Sequence, residues 1–274
     1  MKPIQKDLNA IVVVAAREVL RFVKDWKTSL AFSLMFPVLF LGILGGEIAQ
    51  NLGGSLGYDY LQFALLGMVA ATIVMNTMMS VTSLVEDREN DFTQEIFVAP
   101  ISRYSIILGK IVGGSIISML QLFAFVIIAL VMNISVSLSA IGWILLLAPL
   151  ICISGGTLGV LVASIFSSSP KTADKGVIMV VFAQMFLSGA FIPINNSSGV
   201  LGALSHAMPM TYIVDLLRGL VYQGMPFYSQ IALYNPLLDL AIVIAISIAS
   251  FVIGTFFFVR MPAKNTYFCL LHKR

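Results

Sequence analysis

The sequence predicts an all-α polytopic membrane protein with six transmembrane helices, and three observations predict it. First, 59% of the 274 residues are hydrophobic and 11% are charged, with a mean hydropathy of +0.98. Soluble domains run at about 45–50% apolar and about 25% charged. Second, six apolar runs approach or exceed the roughly 20 residues that a helix needs to cross the hydrocarbon core. Third, the basic residues gather on one side of those runs. So few charges cannot clothe a soluble protein of this size, which excludes a soluble enzyme, a disordered chain and a nucleic-acid-binding module. The formal charge of +3 has meaning only through where the basic residues sit.

The N-terminal segment, residues 1–27, predicts an amphipathic interfacial helix over Lys6–Trp26. Leu8, Ile11, Val12, Ala15, Val19, Phe22, Val23 and Trp26 recur at three- and four-residue spacing. Arg17, Arg21 and Lys24 take the other face, where anionic headgroups would meet them. The run Ile11–Ala16 is short and leads into Arg17, Glu18 and Arg21, which argues against a cleavable signal peptide.

The six spans follow as about Thr28–Gly46, Leu61–Val85, Ser105–Met132, Ala140–Phe166, Gly176–Ile194 and Pro236–Val259. Their apolar runs are continuous, so they are helices rather than the alternating strands of a barrel. With both termini cytoplasmic, every lysine and arginine except Arg218 falls on the cytoplasmic side. No internal repeat or low-complexity linker divides the chain, so residues 1–274 form a single transmembrane domain.

The connection between the second and third spans carries Glu86, Asp87, Glu89, Asp91 and Glu95 in one short cytoplasmic segment. Phe92, Ile96 and Phe97 stand at i, i+4 and i+5, so a short helix over 86–100 presents an apolar ridge among acids. Pro100 ends it by disfavouring helical geometry at Ala99. A solvated turn needs no such ridge, and the aromatic side chains are candidate anchors for a soluble partner.

Residues 195–235 predict an outward re-entrant helical hairpin. Leu201–Ala207 and Tyr212–Tyr222 are apolar but too short to cross, and Pro193, Pro209 and Pro226 punctuate them. Such backbone is tolerated at membrane depth only where protein or a water-filled cavity covers it. Thr211 is placed to cap the second short helix, Asp215 and Arg218 share a face as a structural ion pair, and Tyr212 lies between them and Pro209. Inside the spans, Asn76, Thr77, Gln121 and Gln184 are polar groups that lipid rejects. With Phe182, Met185 and Phe186 they mark a candidate substrate pathway, though interhelical hydrogen bonding and ordinary packing explain them as well.

The sequence lacks several chemistries. No phosphate-binding loop of the Gly-x-x-x-x-Gly-Lys-Ser/Thr type occurs, and Gly109-Lys110 runs into an apolar span. No metalloprotease or nucleophile-elbow motif occurs, and histidine is confined to His206 and His272. Cys152 and Cys269 form no metal or disulfide pattern. Asp239 sits at a helix N-terminus, which explains its charge without a proton relay. The chain is expected not to be an enzyme by itself.

Two sets of motifs resemble a known family. Glu86-x-x-Glu89, Glu95-Ile96, Ala99-Pro100-Ile101-Ser102-Arg103 and Gly109-Lys110 are similar to the cytoplasmic signature of type-2 ATP-binding-cassette permeases. Ser188-Gly-Ala-Phe-Ile-Pro193 and Met208-Pro-Met-Thr-Tyr-Ile-Val-Asp-Leu-Leu-Arg-Gly219 resemble the family's Ser-Gly-x-x-x-Pro and Asn-Pro-Leu-Thr-Tyr-x-x-Asp-x-x-Arg-Gly pattern. Met208 and Met210 depart from it.

The resemblance implies the membrane subunit of an exporter for a hydrophobic drug, an antibiotic or a lipid-like molecule, in a bacterial inner membrane. The runner-up is a polysaccharide or glycolipid exporter, and after it an ion-coupled carrier or channel. Residues 86–100 then become a coupling helix, with Glu86, Glu89, Phe92, Ile96, Phe97, Pro100 and Arg103 facing a nucleotide-binding ATPase subunit. A second copy or a homologous permease completes the complex. No cofactor is expected on this chain, and ATP with magnesium is expected on the ATPase.

Overall fold

A computed structural model describes residues 3–89, 102–134, 136–194 and 199–260, and those residues are helical with no strand. In chain order the helices are α1 (Pro3–Lys24), α2 (Trp26–Leu39), a π-helical turn (Phe40–Gly45), α3 (Gly46–Leu56), α4 (Tyr60–Glu89), α5 (Arg103–Val131), α6 (Leu138–Ile165), α7 (Pro170–Leu187), α8 (Gly199–Ala207), α9 (Pro209–Val221), α10 (Tyr228–Ile231) and α11 (Pro236–Arg260). Among the described residues, five stretches are long and apolar enough to cross a membrane: Trp26–Asn51, Tyr60–Asp87, Tyr104–Val131, Leu138–Ile165 and Tyr228–Phe258. Helices α8 and α9 pass the same test together but bend by 82° where they meet, so they form either a broken sixth span or a re-entrant pair.

α4 is the central post of the bundle. In its most apolar stretch 78% of residues are buried, against 17% for the span through α2 and α3. It packs on α5, α6, α7 and α9, while α11 covers α6 and α1 lies along α5. The outer faces of the other helices keep Leu130, Val131, Ile248 and Val252 exposed, as lipid-facing helices do, since lipid is as apolar as they are. One end of the bundle holds α1 with the end of α4 and the start of α5, and is called here the α1 end. The opposite end holds α8 to α10 and is called the hairpin end.

Three expectations shift. The first span continues past Gly46 through α3, by way of the π-helical turn that follows Pro37. Proline lacks the N–H of the helical ladder, and single π-turns often follow such breaks. The expected fifth span, Gly176–Ile194, is the helix Pro170–Leu187, with Lys171, Asp174 and Lys175 in its first two turns. Ser169 fixes that start by accepting the Thr172 N–H at 3.2 Å, with Pro170 at the first helical position. Gly189 stops the helix in the left-handed region, φ 79°. Finally, α1 ends at Lys24 and Trp26 opens α2 instead.

Candidate functional site

A cavity of about 1240 Å³ opens between α1–α2 on one side and α4, α5 and α7 on the other. Phe32, Met35, Phe36, Met75, Met79, Phe182 and Met185 make its wall mostly apolar. Four of the expected pathway residues, Asn76, Gln121, Phe182 and Met185, meet here. Asn76 Nδ2 donates to Gln121 Oε1, and Gln121 Nε2 donates to Ser33 Oγ at 3.1 Å. The three residues thus form a polar strip linking α4, α5 and α2 across an apolar wall.

The other three pathway residues lie elsewhere. Thr77 is fully buried, and its hydroxyl bonds back to the Ile73 and Val74 carbonyls of its own helix. Gln184 turns away from the cavity and accepts the Met210 N–H at 3.2 Å, fastening α7 to α9. Phe186 points outward, 53% exposed, with its ring edge on Phe191 at 5.6 Å.

Towards the hairpin end an aromatic cluster lies beside the cavity. Phe36 meets Phe182 edge-on at 5.6 Å, and Phe40 stacks on Phe191 at 4.4 Å. Phe191 is buried in the segment after α7, where its carbonyl accepts the Tyr60 hydroxyl at 3.0 Å. Sequence reasoning named Phe182 and Phe186 here but missed the clustering of Phe36, Phe40 and Phe191, which lie in two segments far apart in the chain.

Arg218 locks that segment in place. Its guanidinium donates to the carbonyls of Gly189, Ala190 and Phe63 at 2.8, 2.7 and 2.8 Å, and lies 3.4 Å above the Phe63 ring. Gly67 admits this arrangement, because a Cβ there would stand 2.0 Å from the Ala190 carbonyl oxygen. Asp215 accepts the backbone N–H groups of Leu233, at 2.9 Å, and Tyr234, at 2.9 Å. The expected Asp215–Arg218 ion pair is therefore corrected: both are buried on one face, but each bonds backbone of a different segment. Burial explains why, since unpaired peptide groups at membrane depth must find partners.

The expected cap is corrected too. Thr211 Oγ1 donates to the Ser205 carbonyl at 2.5 Å, tying α9 to α8, and Met208 is the N-cap without a side-chain bond. Pro209 takes the first helical position, where its missing N–H costs nothing. Tyr212 donates its hydroxyl to the His206 carbonyl at 2.7 Å and stacks on Tyr234, while Pro193 precedes Ile194 where the described segment ends.

At the α1 end the cavity mouth is charged. Arg17 and Arg21, expected among headgroups, instead bond α4: Arg17 to Asp87 at 2.9 Å and Arg21 to Glu86 through both terminal nitrogens, at 3.0 and 3.3 Å. The hydrogen bond to Glu86 raises the Arg21 pKa above its ordinary value, despite partial burial. Lys110 is fully buried among Glu18, Asp87 and Ser83. Asp174 accepts the Thr82 hydroxyl at 2.6 Å. Sequence reasoning placed Lys110 on the flank of a span and so missed its burial. Of the expected coupling residues, Glu86 lines the mouth, Glu89 closes α4 and Arg103 opens α5. Phe92, Ile96, Phe97 and Pro100 lie outside the described residues.

The comparisons agree with this architecture. The model of the "ABC-2 type transporter" family matches residues 9–222. The inner membrane transport permease YadH of Escherichia coli K12 is 22% identical over 211 residues, covering 76% of this chain and 81% of that protein. The daunorubicin resistance ABC transporter permease protein DrrB1 of Streptomyces coeruleorubidus is 23% identical over 197 residues, covering 72% of this chain and 68% of that protein. The match spans α1 through α9 and so takes in both the charged mouth and the Arg218 clamp, and the chain belongs to the ABC-2 type transporter family as an integral membrane permease subunit.

Proposed function

We propose that this permease works with a separate nucleotide-binding ATPase and a second permease copy or homologue, exporting a hydrophobic drug, an antibiotic or a lipid-like molecule. The observation that carries the reading is the chamber: about 1240 Å³, larger than the roughly 300–1,000 Å³ of ordinary small-ligand pockets. Its wall is methionine- and phenylalanine-rich around the Ser33–Asn76–Gln121 strip, with further hydroxyls from Ser29, Thr72, Ser80, Thr82 and Ser83. Methionine adapts to varied apolar shapes, and Ser33, Asn76 and Gln121 offer a bulky amphiphile a few oriented hydrogen bonds. A hydroxyl-rich polysaccharide would leave polar groups unpaired against the methionine and phenylalanine faces, which places sugar export second.

In this reading the α1 end faces the cytoplasm of a bacterial inner membrane, as the one-sided basic residues require. Substrate reaches the chamber from the cytoplasm or inner leaflet, and the Phe36–Phe40–Phe182–Phe191 cluster is the seal that separates it from the outside. The coupling segment, 86–100, receives the movement of the ATPase through Phe92, Ile96 and Phe97. ATP and magnesium bind that partner, and this chain supplies the path.

The test uses inside-out vesicles holding the chain, its ATPase or both, with daunorubicin and a fluorescent short-chain phospholipid as probes. ATP-driven accumulation is expected only with both subunits. Phe92→Ala with Ile96→Ala should insert normally yet lose co-purifying ATPase and transport, since truncating a buried anchor costs about 2 kcal/mol or more of binding. Wild-type association and transport by that variant would refute the coupling assignment.

A further inference from the structure

α1 and α5 meet along a seam of small residues. A Cβ on Gly109 would stand 2.7 Å from Val14 Cβ, and one on Gly113 would stand 2.8 Å from Glu18 Cβ. Ala10 and Ala15 are the buried apolar residues of α1. Such a seam lets two helices approach closely, with the Val14 and Glu18 side chains seated over the two glycines.

Polar bonds beside the seam fix the register further. Lys110 Nζ donates to Glu18 Oε1 of α1 at 2.7 Å, and to Asp87 Oδ2 and Ser83 Oγ of α4 at 2.7 and 2.6 Å. An ammonium has three protons, and all three are used, on two other helices. Arg17 adds a second link from α1 to the same Asp87, at 2.9 Å. Asp7 pins the beginning of α1 by accepting the Ser105 hydroxyl at 3.0 Å and the Ser102 N–H at 3.3 Å. These short, directional bonds have one satisfied arrangement, and a shift of one helix past another leaves buried charges unpaired.

We infer that Lys110 is a positioning residue that welds α1 to the adjoining ends of α4 and α5, making one rigid arm. The arm matters because α1 also lines the chamber through Glu18, Arg21 and Phe22. A displacement arriving at the α4–α5 connection is then carried into the chamber wall without slack. This rests on the reading that the connection receives force from an ATPase.

The experiment measures spin-label distances in the permease–ATPase complex in lipid nanodiscs, with and without ATP plus vanadate, after replacing the native cysteines. One label pair, Val13 on α1 with Ile116 on α5, reports the weld. A second, Val13 with Met179 on α7, reports movement across the chamber; all three positions are exposed. Wild type should show one narrow Val13–Ile116 distance that ATP leaves in place, while the Val13–Met179 distance shifts.

Lys110→Met alone strands Glu18 and leaves Asp87 with Arg17 only, so the informative variant is Glu18→Gln with Asp87→Asn and Lys110→Met, which removes the buried cluster as a set. Neutralising a whole buried ion cluster is often tolerated by stability. The variant should therefore assemble, lose the narrow Val13–Ile116 distance and lose the ATP-driven shift. If it does not assemble, Glu18→Gln alone, which leaves Lys110 paired with Asp87, should broaden the same distance.

Two results overturn the weld: neutral variants that keep both wild-type behaviours, or a wild-type Val13–Ile116 distance that itself moves with ATP. An ATP-insensitive Val13–Met179 distance in wild type instead refutes the ATP-driven reading, and the Val13–Ile116 distribution still judges the weld.

Discussion

The two ends of the bundle both bury charge, but they neutralise it differently. At the α1 end, Lys110 and Arg17 bond carboxylates, so side chain satisfies side chain between three regular helices. At the hairpin end, Arg218 and Asp215 bond peptide groups: three carbonyls for the cation and two N–H groups for the anion. The difference follows from the backbone around them. Regular helices satisfy their own peptide groups, so a buried charge among them needs a countercharge. The broken chain around Gly189 and Leu233 leaves peptide groups open, and there a buried charge takes the place of water. Charge at the α1 end fastens one helix to another, and at the hairpin end it holds irregular chain in shape and against α4, whose Phe63 carbonyl takes one of the guanidinium bonds.

This contrast predicts an order of mutational effects. Arg218→Met should be the most damaging, because it leaves three buried carbonyls without their charged donor; about 4 kcal/mol of destabilisation is expected. Arg218→Lys should recover only part, since a point-like ammonium does not reproduce the planar fork. Thermal unfolding in detergent measures both, and a mild Arg218→Met would mean that water or a repacked segment replaces the guanidinium.

Lys110→Met should come next, at about 3 kcal/mol, since it strands Glu18 and weakens Asp87 without opening any peptide group. Asp87 keeps Arg17, which is why the loss should be smaller than at Arg218. Equal losses at the two positions would erase the distinction between charges that pair and charges that bind backbone.

Glu86→Gln should do least to stability. Its partnership with Arg21 is exposed, with the two side chains 40% and 54% accessible, and such pairs contribute below about 1 kcal/mol and fade with salt. Any effect should shrink on raising the salt concentration, whereas the Lys110 and Arg218 effects should not. A salt-independent loss at Glu86 would show that this pair is desolvated in the working membrane protein.

The sequence made some of this legible. Continuous apolar runs mark the spans because a helix in lipid must be apolar on every exposed face, and Asn76 and Gln121 stood out against that background. The expected span began at Gly176, past Lys171, Asp174 and Lys175, whereas the helix starts at Pro170 behind the Ser169 cap. Lys110 reads in the sequence as one more basic residue flanking the cytoplasmic connection; Glu18 lies 92 residues away in the chain, and nothing local announces such a partner. Arg218 and Asp215 were rightly seen to share a face, and the natural inference from three-residue spacing is a pair. Only the course of segments 189–190 and 233–234 reveals that both are occupied by backbone. Phe36 and Phe191 illustrate the same limit, since the cluster exists only once two distant segments fold together.

The claim that the chamber carries substrate can be tested with single cysteines in a cysteine-free background. Met75 lines the chamber, and Leu120 faces outward with 45% exposure. Each variant, assembled with the ATPase in inside-out vesicles, is treated with a bulky maleimide, and ATP-driven daunorubicin and fluorescent-phospholipid uptake is followed. The account predicts that modification at Met75→Cys abolishes uptake, that the transported probe slows that modification, and that modification at Leu120→Cys leaves uptake intact. Uptake that survives full modification at Met75→Cys would contradict it, because the route would then lie outside the chamber.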